Sequence, residues 1–156
     1  PKTTLLYGDR LGRLGKIVAG CCAAIFDEGG QKLLLTRRSD NALWCLTGGR
    51  MEPGETIAEA FIRAVLEETG LRGALKRLIG IYSNPHSLVQ YADGHRTQPV
   101  SICFEAEIVS GSMVLSNETT EIAVFDHTEC AQLSLMGNHP QRVADAFARH
   151  PQAVFD

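Results

Sequence analysis

Glu67 and Glu68 close the run Arg63-Ala64-Val65-Leu66-Glu67-Glu68. On a helix advancing about 100° per residue, positions 64, 67 and 68 stand at i, i+3 and i+4 and share one flank. Carboxylates on such a flank offer hard oxygen ligands to Mg²⁺ or Mn²⁺. One reaction that such an ion can serve is cleavage of a diphosphate, where water attacks phosphorus among negative oxygens and charge builds on the leaving phosphate. A divalent ion orients the substrate, acidifies water and offsets that charge. Position 64, however, is Ala, which leaves two carboxylates beside the small residues Ala60 and Ala64. Taken alone, adjacent glutamates describe a solvated helix face, so the weight falls on the sequence around them.

The element that must carry them has explicit limits. Thr56 and Glu59 form an S/T-x-x-E capping box, and Gly70 sits where a left-handed cap ends a helix, so the spacing predicts a helix over 56–69. Ile57, Ala58, Phe61, Ile62 and Val65 share an apolar sector that should pack on a sheet. Arg63 can reach Glu67 at i,i+4. Ahead of the helix, the loop from 48 to 54 contains Gly48, Gly49 and Gly54, which let main-chain groups approach an ion or phosphates closely.

Gly49-Arg50-Met51-Glu52-Pro53-Gly54-Glu55, followed at fixed distance by Arg63-Ala64-Val65-Leu66-Glu67-Glu68-Thr69-Gly70-Leu71, resembles the signature of the Nudix hydrolases, G-x5-E-x7-R-E-U-x-E-E-x-G-U with U aliphatic. Ala64, at the first Glu of the R-E-U-x-E-E core, is the one departure. The flanks are similar too. Trp44-Cys45-Leu46-Thr47-Gly48-Gly49 looks like the family's W-x-L-P-G-G approach, with Thr47 for Pro. The stretch 117–126 is similar to E-x-x-E-x-x-W-F, with Val124 for Trp. The resemblance covers about 17–130. It implies an α+β fold, an α/β/α sandwich with a central mixed β-sheet and the box helix on one face.

The resemblance also implies roles. Glu68 would be a direct metal ligand, Glu67 a ligand directly or through water, and the Gly48 carbonyl a further one. Arg63 would orient the carboxylates, Glu55 would support the loop, and Gly49 would lie against the substrate. Glu118 and Glu121 are candidates for a third ligand or a base, with surface carboxylates between strands as the alternative. In the family, position 64 supplies a metal ligand that is sometimes assigned as the base. Ala64 supplies neither, and three readings stand: an engineered inactivation, a natural variant using another carboxylate, or natural loss of catalysis. Retention of Glu55, Arg63, Glu67 and Glu68 argues against long decay of the site.

Other residues carry weaker signals. Arg37 either ends a strand or binds phosphate in bidentate fashion. Tyr82, His86 and Tyr91 either stack on a base or serve as ordinary loop residues. The histidines show no H-x-x-H spacing for zinc, and no G-x-S-x-G elbow is present. The glycine-rich stretch 8–15 lacks a P-loop ending and reads as a flexible N-terminal segment.

The chain has 156 residues, a formal charge of -3 and 44% hydrophobic residues, which describes a single domain over 1–156, with 1–16 as an N-terminal extension and 49–71 as the box. Strands are expected over 17–26 and 32–36, forming a hairpin, and over 43–46, 75–82, 100–109 and 122–125, with a closing helix over 139–149. Lys2, Arg10, Arg13 and Lys16 lie in a segment without the apolar core and cleavage site of a secretory signal. No apolar run is long enough for a membrane span. Five cysteines without a CxxC pair read as buried thiols of a reducing cytoplasm rather than a disulfide or zinc framework.

These readings lead to a Nudix hydrolase acting on phosphoric anhydrides: a metal-dependent pyrophosphohydrolase cleaving the diphosphate of a nucleoside diphosphate linked to another moiety, weakened or inactivated by Ala64. The linked substrate would be a nucleotide sugar, an ADP-ribose-like compound or a nucleoside triphosphate. The alternative is a non-catalytic nucleotide-sensing module. The expected cofactor is Mg²⁺ or Mn²⁺, and the expected partners are a small nucleotide diphosphate and, as a candidate homodimer, a second copy of the chain. A membrane or a nucleic-acid polymer is not expected. Loops 83–97 and 111–120 are where substrate choice should reside.

Overall fold

The computed structural model describes residues 3–156, so Lys2 lies outside the described residues. In chain order the elements are β1 (Thr4–Tyr7), a 3-10 turn (Leu11–Leu14), β2 (Lys16–Ile25), β3 (Leu33–Arg38), β4 (Trp44–Cys45), β5 (Thr47–Arg50) and α1 (Ile57–Thr69). Then follow β6 (Leu71–Tyr82), β7 (Ser87–Gln90), β8 (Arg96–Gly111), β9 (Thr119–Phe125), α2 (His127–Cys130), α3 (His139–Ala148) and β10 (Val154–Phe155). The larger sheet runs β1-β7-β8-β2-β5, with β6 also paired to β8 and β10 to β6; a smaller sheet runs β4-β3-β9. Parallel pairing of β2 with β8 and of β10 with β6, among antiparallel neighbours, makes the sheet mixed.

β2 explains the layering. Successive side chains of a strand face opposite sides. Cys21, Ala23 and Ile25 accordingly pack with Phe61, Val65 and Ala60 of α1, while Cys22 and Ala24 join Val143 and Ala146 of α3 on the other face. A strand buried on both faces needs an unbroken apolar run, and Ile25 and its neighbours supply it. The result is the α/β/α sandwich. Ile62, expected in the apolar sector of α1, is exposed, because the sheet covers a narrower arc of the helix centred on Phe61 and Val65.

Two expectations are corrected. The strands around residue 20 and residue 35 do not form a hairpin: β2 is already flanked by β8 and β5, so β3 joins the second sheet, and a single bridge from Phe26 to Leu33 links them. The stretch 8–15 is ordered, with the amides of Gly8 and Gly12 donating to the carbonyls of His86 and Pro85, and β1 paired to β7. All five cysteines are buried free thiols. Among the described residues no helix is long and apolar enough to cross a membrane.

Candidate active site

The start of α1 is fixed by the expected capping box: Thr56 Oγ1 accepts the Glu59 amide at 3.1 Å and Glu59 Oε2 accepts the Thr56 amide at 2.7 Å. Its end is fixed by Gly70, whose φ of 76° and amide bond to the Leu66 carbonyl form the left-handed cap. Between these stops Ala60, Phe61, Ala64 and Val65 are buried, and Glu67 and Glu68 project from the flank beside Ala64.

Arg63 ties that flank to the loop. Its Nε and Nη2 donate to Glu55 at 3.0 and 2.6 Å, Nη2 also donates to the Arg50 carbonyl at 2.8 Å, and Nη1 donates to Glu67 at 3.2 Å. Glu55 in turn accepts the Glu52 amide at 2.6 Å. The Arg63 guanidinium, then that amide, hold the Glu55 carboxyl below its ordinary value. Gly48 is sterically required, because an added Cβ there would run into the Cys21 carbonyl; one at Gly49 would stand 3.1 Å from the Ala64 Cβ, a tight contact.

Glu68 turns inward. Its Oε1 accepts Thr36 Oγ1 at 2.9 Å and its Oε2 faces the Gly48 amide at 3.4 Å. Burial pushes the carboxyl above its ordinary value, opposed by those two donors and reinforced by Glu118. Glu67 stays in solvent. Gly48, Gly49, Arg63, Ala64, Glu67, Glu68 and Glu118 all line one cleft of about 710 Å³. The oxygen donors it offers suit a hard divalent cation. Among the described residues no three His, Cys, Asp or Glu side chains gather closely enough to hold an ion, and the flank position facing Gly49 is the apolar Ala64.

Four other expected residues stand away from this cleft. Arg37 and Glu121 are partners across β3 and β9, joined at 2.8 Å, and Arg37 Nε also donates to the Ala42 carbonyl. Alternation along β3 accounts for this: Thr36 faces Glu68, so Arg38 rather than Arg37 lines the cleft, where it pairs with Asp40 at 2.8 and 2.7 Å. Tyr82 is buried and donates to Asp145 at 2.7 Å, placing it in the core behind the sheet. His86 is exposed and accepts the Arg10 amide at 3.0 Å. Tyr91 does line the cleft, with the Arg50 guanidinium 4.5 Å from its ring centroid. His139 and Arg142 of α3 also line it and carried no signal in the sequence beyond helical spacing.

A mixed sheet between helices, with a capped helix presenting carboxylates to a glycine loop, defines a class, and the comparisons name it. The NUDIX domain family matches residues 16–147, and the chain belongs to that family. It is 31% identical over 121 residues to an ADP-ribose pyrophosphatase of Methanocaldococcus jannaschii, covering 76% of this chain and 67% of that protein. It is 45% identical over 53 residues to a MutT-like protein of Streptomyces ambofaciens, but this match covers only 34% of each. Among solved structures, an ADP-ribose pyrophosphatase of Streptococcus suis superposes with a TM-score of 0.71 over 89% of this chain and 98% of that one, at 21% identity, and so shares the fold. The family match and the archaeal relative support a hydrolase acting on phosphoric anhydrides.

Proposed function

We propose that the chain is a divalent-cation-dependent pyrophosphohydrolase that cuts the diphosphate of a nucleoside diphosphate linked to another moiety. The observation that carries this reading is the single cleft lined by the α1 carboxylates and by the glycine loop that Arg63 and Glu55 hold against them. Glu68 and the Gly48 carbonyl, with Glu67 and Glu118 drawn towards them on binding, would hold Mg²⁺ or Mn²⁺. When bound, such an ion neutralises phosphate charge and acidifies water. Arg63 positions Glu67, the Thr36 hydroxyl positions Glu68, and Gly49 leaves room for a phosphate beside the loop. Nucleotide sugars, ADP-ribose-like compounds and nucleoside triphosphates all present the required diphosphate. The buried thiols suit a reducing compartment such as the cytoplasm.

A second reading has one observation in its favour. Ala64 is buried beside Gly49, where a third carboxylate would complete the flank, and a module that binds nucleotides without cutting them would lack that group. One comparison separates the two. This chain and its Ala64→Glu variant are assayed against a nucleotide panel with Mg²⁺ or Mn²⁺. The substitution should raise hydrolysis by at least about tenfold, equivalent to about 1.4 kcal/mol of barrier. If Ala64→Glu binds nucleotides tightly and turns none over, the sensing module is the correct reading.

A further inference from the structure

We infer that the inner end of the cleft is an anion subsite, in which Arg142 and His139 at the start of α3 receive a phosphate or carboxylate carried by the part of the ligand remote from its diphosphate. That the ligand also carries a diphosphate rests on the function proposed above; the subsite itself rests on α3.

Arg142 and His139 line both the main cleft and a smaller cavity of about 140 Å³, so they stand where the two meet. Arg142 is 9% exposed, and its Nε is buried without a hydrogen-bond partner. Among the described residues it forms no ion pair. A guanidinium keeps its charge in any protein, and a buried charge without an anion is costly. Asp145, at i+3 on the same helix, does not answer it. Its carboxylate is committed to the Tyr82 hydroxyl at 2.7 Å, Gln141 Nε2 at 3.1 Å and His150 Nε2 at 3.3 Å.

His139 sharpens the case. Its Nδ1 accepts the Leu46 amide at 3.1 Å, so in the neutral ring the proton is assigned to Nε2. Burial, then the charges of Arg142 and Arg38, hold the imidazole well below its ordinary value and keep it neutral near pH 7. Nε2 lies 3.4 Å from Arg142 Nη1. Two N–H donors therefore face each other, and an oxygen acceptor bridging them from the cavity side would satisfy both. The N-terminus of α3 adds to the preference for an anion: Asn138 makes no side-chain cap there, and a helix start carries partial positive charge. A planar guanidinium fork beside an imidazole N–H matches the geometry of a phosphate or carboxylate.

The test uses the full chain with chelator present, so that no metal at the box contributes. Nitrogen NMR follows the Arg142 Nε–H and His139 ring resonances during titration with inorganic phosphate and, separately, with formate. Saturable shifts at both residues are expected; the tighter anion names the group. Arg142→Gln should lose the shift at His139, and Glu68→Gln should keep the shifts at both residues. Resonances in the unmodified chain that neither anion moves would overturn the subsite, leaving water between the donors. A kinetic arm in the Ala64→Glu background compares two nucleoside diphosphates, one linked to a sugar bearing its own phosphate and one to a neutral sugar. Arg142→Gln should raise KM for the first by about tenfold more than for the second, the loss of one charge-assisted contact. Equal changes would overturn it. Anion binding without hydrolysis of any nucleotide would sink the enzyme reading alone, and hydrolysis without anion binding would sink the subsite alone.

Discussion

Arg63 grips Glu55 through two parallel hydrogen bonds, Nε to Oε2 at 3.0 Å and Nη2 to Oε1 at 2.6 Å. This fork fixes the guanidinium plane, which leaves Nη1 aimed at Glu67 one helical turn on. The same carboxylate takes the Glu52 amide, so one pair sets both the loop path and the helix flank. A residue that acts through others in this way should affect catalysis more than nucleotide affinity.

Glu55→Gln keeps the shape and removes the charge. In the Ala64→Glu background it should lower kcat by about tenfold, the lower end of what loss of a ligand-supporting partner costs, with KM changing much less. Steady-state kinetics on one diphosphate substrate checks this. A rise in KM with unchanged kcat would mean that the pair serves substrate binding rather than the geometry of the carboxylates.

Glu68 and Glu118 line the same cleft from different supports. Glu68 is held on a helix by Thr36, whereas Glu118 sits exposed on the connection before β9. Losing an anionic ligand that a neighbouring donor positions should cost more than losing one exposed on a loop. Calorimetric titration with Mn²⁺ should therefore show a larger loss of affinity for Glu68→Gln than for Glu118→Gln. Equal affinities would take Glu68 out of the metal site.

Burial of Glu68 also has a consequence for stability. Its folded pKa is raised above the unfolded value, so the native state holds the proton more tightly. Its contribution is complete below the unfolded carboxyl pKa and is lost as pH rises through the folded one. With chelator present, Glu68→Gln, which retains an acceptor for Thr36, should melt with the unmodified chain in acid and above it near pH 7. Calorimetry across that range decides, and a variant that melts lower at neutral pH would show that the charged carboxylate is stabilised by its donors.

The helix was legible because its limits are local. Thr56, Glu59 and Gly70 act on their own backbone neighbours, and a capping box reads the same in sequence and in space. The box carboxylates followed, being fixed to that helix. Arg37 and Glu121 were not legible as a pair because their contact depends on β3 and β9 meeting in one register, which no local signal encodes. The choice between Arg37 and Arg38 turned on which face of β3 meets Glu68, and strand alternation settles it only once Thr36 is known to donate there. Tyr82 was misplaced for a similar reason: its partner Asp145 comes from α3, far along the chain. β1 and β10 are short edge strands, and β7 is a short strand between β1 and β8; their pairing, not their composition, defines them.

The preferred ligands should be small nucleotides with a diphosphate bridge rather than long RNA or DNA. Affinity for a polymer comes largely from releasing counterions along many phosphates, which requires a dense stripe of Lys and Arg. This chain has 15 Lys and Arg against 18 Asp and Glu. Several of its arginines are already committed: Arg37 to Glu121, Arg38 to Asp40 and Arg63 to Glu55. Around the cleft Arg50 lies over Tyr91, a pairing that suits one stacked base more than a strand of them. Arg10, Arg13 and Lys16 are spread along the opening segment and are too few to change the balance. Filter binding at roughly physiological salt should find nucleotide sugars competing for the site and single-stranded RNA held only weakly. Sub-micromolar RNA binding that nucleotide sugars fail to displace would overturn the assignment to small substrates.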